Sequence, residues 1–336
     1  MCGQEGTYHG AAGIPLTIRR RICMSENGFS IKADSSTKSR VEKIAEAIFV
    51  CTAFLAVIAV ASISIYLVIK GAPAFWEVGP LEILFGTKWA PTAQDPSYGI
   101  AYIILTSIVG TGLAILIGVP IGVLTAVFIA ELSNKKAARI VQPAVELLAG
   151  IPSVVYGLLG ILILNPLMYD LEKMIFKGST THRYTGGSNL LSAVLVLAIM
   201  ILPTVINTSE SALRAVPKEY RNASLALGAT KIQTIFKTTI PAAKSGIITG
   251  IVLGIGRAVG EAMAISLVAG SAVNFPLPFN AVRFLTTAIV SEMGYAEVGS
   301  IHQNVLFTIG LVLFVFIMII NIVLSGILKK GGERNE

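Results

Sequence analysis

Long apolar runs set apart by short polar ones dominate the chain. A helix needs about 20 largely apolar residues to cross a hydrocarbon core of ~30 Å. Six stretches meet that length: residues 45–69, 100–130, 141–164, 190–208, 247–270 and 305–328. The second would reach about 45 Å at 1.5 Å per residue, and Pro120 between Gly118 and Gly122 predicts a kink or a division there. Ile151-Pro152-Ser153 predicts a disruption of the third. Residues 1–40 are polar, carry Arg19-Arg20-Arg21 and lack the apolar core and cleavage site of a signal peptide. They read as a mostly disordered cytoplasmic tail, with the first span as an uncleaved insertion signal. Residues 41–330 then form one six-span domain and 331–336 a short cytoplasmic tail.

Composition supports this organisation. Hydrophobic residues make up 54% of the 336 positions and charged residues 13%, against about 25% charged in ordinary globular chains. So few charges cannot cover a soluble surface, and the chain reads as an all-α integral membrane protein embedded in a lipid bilayer. The net charge of +7 then reports orientation rather than nucleic-acid binding. With both termini inside, 19 of the 26 Lys and Arg residues fall on cytoplasmic segments, six on external ones, and Arg257 lies within a span. Cys2, Cys23 and Cys51 show neither a disulfide pattern nor metal-ligand spacing.

One cytoplasmic segment, from Glu210 to Ser245, is too long for a tight turn. Pro217 suits a helix start, the apolar positions from Tyr220 to Phe236 suit short amphipathic helices, and Gly228 breaks them. The segment reads equally as an interfacial helix on the inner leaflet or as a docking helix for a cytoplasmic partner. Ala223-Ser224, Gly228 and Ile240-Pro241 resemble the cytoplasmic "EAA…G…I-x-LP" loop of binding-protein-dependent ABC transporter permeases. Asn222 stands where that loop begins with Glu, and Thr238 where it has Ile. The resemblance implies that Glu219, Asn222, Ala223, Ser224, Gly228, Ile240 and Pro241 form a coupling loop that enters a cleft on an ATP-hydrolysing subunit.

The fifth span places Arg257 and Glu261 four residues apart, on one face of a continuous helix. An ion at mid-membrane costs about 2.5–3.5 kcal/mol on insertion scales and marks a functional candidate. A guanidinium suits two oxygens of an anion. The pair reads either as an anion pathway or as a structural salt bridge. Gly246, Gly250 and Gly254, with Gly256 and Gly260, repeat every four residues and predict close helix packing or room for a small substrate.

The phrases GRAVGEAMA, VPKEYRNASLALGATK and TKWAPTAQDPSYGI resemble the phosphate-specific branch of these permeases, the PstC line rather than its PstA sibling. That resemblance implies a role for Arg257 and Glu261 in phosphate passage. It also implies three partners: a homologous PstA-like permease, a pair of PstB-like ATP-binding subunits and an external PstS-like phosphate-binding protein. No Gly-x4-Gly-Lys-Ser/Thr loop occurs in the chain, so ATP hydrolysis belongs on a separate chain, and no cofactor, metal or catalytic residue is expected here. His9, His182 and His302 are scattered and carry no expected ligand role. The competing readings are a different oxyanion, such as sulfate or molybdate, and an ion-coupled secondary transporter acting alone.

Overall fold

The structure, a computed structural model, describes residues 35–178 and 182–332. Residues 1–34 of the expected tail at 1–40, and the last four residues, lie outside the described chain. Contacts divide the chain after Val60 into two units. The described part of the first is the N-terminal portion of α1 (Ser35–Glu77). This helix begins inside the stretch read as tail. Phe49, Phe54 and Leu55 are all largely exposed on it, as expected of a helix that is apolar on every side and solvated by lipid.

The second unit holds the rest. After α1 come the short α2 (Pro80–Phe85) and an antiparallel hairpin of β1 (Trp89–Ala90) and β2 (Ser97–Tyr98), in which Trp89 pairs with Tyr98. Next, α3 (Ala101–Val127) continues through a π-helical turn, Phe128–Leu132. Pro120 does not divide it: α3 runs on unbroken, with Gly118 against Ile201 and Gly122 against Val205. Neighbouring helices commonly let a proline persist inside a span.

The third crossing departs from its expected position. Residues 135–150 form a separate amphipathic helix, α4 (Lys135–Gly150), which stops at Ile151. Pro152 is extended (φ −58°, ψ 142°), and α5 (Ser153–Leu159) starts just after it. A proline disfavours helix at the residue before it and lacks an amide donor of its own. The spanning stretch is therefore shifted to Ser153–Ile175, built from α5, a π turn at Gly160–Leu164, and α6 (Asn165–Ile175).

The centre of the unit is α7 (Leu190–Ala215), the most buried of the candidate spans. After it come α8 (Lys218–Ala226), α9 (Lys231–Thr234), a π turn at Ile235–Thr239, α10 (Ile240–Ala242) and α11 (Lys244–Gly260). The fifth crossing, expected as one helix to residue 270, breaks at Glu261–Ala262 and resumes as α12 (Met263–Val268). The chain ends with α13 (Leu285–Glu292) and α14 (Ile301–Gly332). Among the described residues five helices are long and apolar enough to cross a membrane, and α11 with the segment bent 70° before it makes up to six.

Close approach through glycine builds the core. Gly118 and Gly122 of α3 meet Ile201 and Val205 of α7. Gly246, Gly250 and Gly254 of α11 meet Ala212, Thr208 and Val205 of the same helix. Without side chains at these points the helix backbones come near enough for dense packing, which drives helix association where lipid is as apolar as protein. A second cluster of buried residues (Ala74, Ile83, Ile100, Leu285, Leu306) ties the ends of α1, α2, α3, α13 and α14 together.

Candidate translocation and coupling sites

Arg257 lies in the last turn of α11, where a cation offsets the partial negative charge of exposed carbonyls. It is half-buried. Among the described residues it has no ion-pair partner and no hydrogen-bond acceptor, so the expected Arg257–Glu261 pair does not form. The reason is local. The helix ends at Gly260 and Glu261 turns out of it (φ −73°, ψ 128°), so four-residue spacing no longer puts the two side chains on one face. The Glu261 carboxylate instead accepts the Ala264 amide at 3.0 Å, capping α12, while its carbonyl accepts from Thr286 Oγ1 at 2.7 Å.

The surroundings of Arg257 are open on one side. A Cβ added at Gly256 or at Gly260 would meet nothing within 4 Å, unlike one at Gly246, Gly250 or Gly254. The expected glycine stripe therefore splits into a packed half and an unoccupied half. Tyr156 donates from its hydroxyl to the Leu148 carbonyl at 2.7 Å, bridging the gap between α4 and α5.

The segment between α7 and α11 is built from two capped helices. At the end of α8, Gly228 (φ +84°) donates to the Leu225 carbonyl at 3.0 Å, and Ala229 donates to the Ser224 carbonyl at 3.2 Å. This is the hydrogen-bond pattern that ends helices on a left-handed residue, a conformation glycine adopts without strain. Thr230 then opens α9 with a reciprocal capping box to Gln233. Ser224 and Thr234 join the two helices through their hydroxyls at 3.0 Å. Glu219 lies in the first turn of α8, Asn222 and Ala223 are exposed, and Ile240 and Pro241 form the short α10 before the bend. Tyr220, Leu225, Leu227, Ile232 and Phe236 expose apolar surface along this segment, with Leu227 at 90%. Beside it is a cavity of about 760 Å³ lined by Val216, Tyr220, Lys237, Pro241 and Ser245.

Sequence reasoning passed over three charged contacts. Arg221 of α8 reaches Glu131, in the π turn that ends α3, at 2.6 Å. Glu172 is fully buried and accepts from His182 at 2.7 Å and from the Thr185 amide and hydroxyl, while His182 stacks on Phe176. Glu292, at the end of α13, receives the Trp89 indole N–H at 3.0 Å, the Arg283 guanidinium and His302 at 2.8 Å. Burial in this region also pushes the Tyr98 phenol above its usual range. The partners lie up to 203 positions apart, so spacing gives no signal, and the two histidines had no neighbour in sequence to mark them.

The family model for a binding-protein-dependent transport system inner membrane component matches residues 118–330. The chain is 40% identical over 275 residues to the "Probable ABC transporter permease protein YqgH" of Bacillus subtilis, covering 80% of this chain and 86% of that one. It is 31% identical to the "Phosphate transport system permease protein PstC" of Pasteurella multocida, over 75% of this chain and 82% of the relative. Among solved structures, a bacterial alginate ABC transporter in complex with an alginate pentasaccharide-bound periplasmic protein superposes with a TM-score of 0.61 at 15% identity. That match covers 88% of this chain and 96% of the other. These matches, with a multi-pass helical fold, place the chain in the family of binding-protein-dependent transport inner membrane components, as an ABC importer permease.

Proposed function

We propose that the chain is a permease subunit of an ATP-driven importer of inorganic phosphate. The observation that carries this is Arg257, a cation inside a span with no protein partner among the described residues, on the open side marked by Gly256 and Gly260. An unpaired guanidinium in a low-dielectric site is costly unless an anion visits it. Several relatives about 30% identical over most of the chain are named as phosphate permeases, which supports phosphate as that anion.

In this reading a homologous permease completes the pathway around Arg257, an external binding protein delivers phosphate, and two ATP-binding subunits dock on residues 210–245. The apolar side chains exposed around Gly228 suit a groove on such a subunit. Both termini face the cytoplasm, as the distribution of Lys and Arg favours. Glu261 acts on Arg257 indirectly: by capping α12 it fixes the break that leaves the guanidinium at the end of α11.

Phosphate uptake into proteoliposomes holding the full complex tests the proposal. Arg257→Gln is expected to lower uptake by at least about tenfold, the scale of losing one desolvated charge contact. Arg257→Lys is expected to recover only part of it, because an ammonium cannot bind two oxygens in one plane. Wild-type uptake by Arg257→Gln refutes the pathway role. ATP-dependent uptake of sulfate or molybdate by the same proteoliposomes, with none of phosphate, reassigns the cargo.

A further inference from the structure

One guanidinium joins the cytoplasmic segment to the ends of two spans. Arg221, in the second turn of α8, pairs with Glu131 Oε1 at 2.6 Å and donates to the Leu213 carbonyl at 2.8 Å and the Val216 carbonyl at 3.2 Å. Leu213 and Val216 belong to the C-terminal end of α7. Glu131 lies in the π-helical turn that finishes α3. The Arg221 side chain is 22% exposed and that of Glu131 9%, so water screens the pair only weakly. Its Nε is buried without an acceptor, so a costly group is held at this point for the contacts its other nitrogens make.

Each contact has a separate physical role. The two carbonyl bonds cap α7, where a positive charge also meets the negative end of the helix dipole. The carboxylate contact reaches the other helix that packs on α7 through glycine. A π turn such as the one at Phe128–Leu132 places one extra residue in a helical turn and often occurs at functional positions. Lysine could not reproduce the arrangement, because a point ammonium lacks the fork that spans a carboxylate and two carbonyls.

We propose that Arg221 is the positioning residue through which movement of the docking segment reaches the spans, with Glu131 as its counterpart on α3. The inference rests on the reading of residues 210–245 as the ATPase-docking segment and adds the contact that makes docking mechanically effective. A displacement of α8 pulls at once on the ends of α3 and α7, and α7 carries α11 through Gly246, Gly250 and Gly254. The docking surface itself lies elsewhere, on Tyr220, Leu225 and Leu227, so removal of the tie leaves docking in place.

The test is phosphate transported per ATP hydrolysed in proteoliposomes of the complete complex, for wild type, Arg221→Met, Glu131→Met and the double variant. Each single variant is expected to lose about tenfold in that ratio, within the range that residues of a coupling network command. The double variant is expected to lose about the same tenfold rather than the product, because partners in one contact are not additive. It leaves no unpaired buried charge, so it reports on coupling even if a single variant accumulates poorly. A wild-type ratio in the double variant, or losses that multiply, overturns the inference. A purely structural role predicts lower abundance with the ratio unchanged. Wild-type uptake that proceeds without ATP refutes the functional reading itself, a result distinct from failure of the tie.

Discussion

At the residue scale, the same side chain type carries opposite consequences a few positions apart. Gly254 touches Val205, where an added Cβ would lie 2.9 Å from a methyl group, whereas Gly256 faces open space. Gly254→Val is expected to destabilise the protein by about 1–3 kcal/mol, the usual cost of overpacking, and Gly256→Val to leave stability unchanged. Thermal unfolding of the purified complex distinguishes them, and equal effects would refute the packing assignment. Periodicity made both glycines look alike; only the orientation of α11 against α7 separates them. Arg257 and Glu261 do not share the helix face that their spacing implies, for a related reason. Helical spacing is informative only while the helix lasts, and this one ends between the two charges, at Gly260. Glu292 adds a third lesson. Its partners Trp89, Arg283 and His302 come from three separate elements, and no local pattern connects them. Glu292→Gln is expected to lower thermal stability by about 3 kcal/mol, because it leaves Arg283 without its carboxylate. An unchanged melting curve would show that the cluster does not hold these three elements together.

At the element scale, the chain was legible where one physical signal dominates. Uniform apolarity located α1, α3, α7 and α14, and turn chemistry located the break at Gly228. The third crossing was placed about twelve residues early because apolar content continues through Ile151-Pro152 while the helix does not. Proline there outweighs hydropathy, and the residues before it form the amphipathic α4 instead of a span. At Gly228 the left-handed backbone is a requirement, since no neighbouring atom crowds the position. Gly228→Ala is expected to cost about 1–2 kcal/mol locally, and Gly228→Asn less, because asparagine tolerates that conformation better. Hydrogen exchange of residues 218–234 measures the loss, and identical protection in wild type and Gly228→Ala would refute it.

For the whole molecule, exposure carries the argument. α1, α4, α5 and α14 expose apolar side chains, as a lipid surround demands, and the packed centre is α7 with two glycine-lined helices against it. The 70° bend at Ala243 has a geometric consequence for how such a centre can be driven. Residues 231–242 make a crank arm of about 18 Å set across the axis of α11. If its tip swings 3 Å, the crank turns α11 by about 10°, and a side chain about 6 Å from that axis sweeps only about 1 Å. The displacement is thus reduced roughly threefold on its way to Arg257. A thrust along the axis of α11 arrives undiminished, so the geometry favours a piston stroke over a twist.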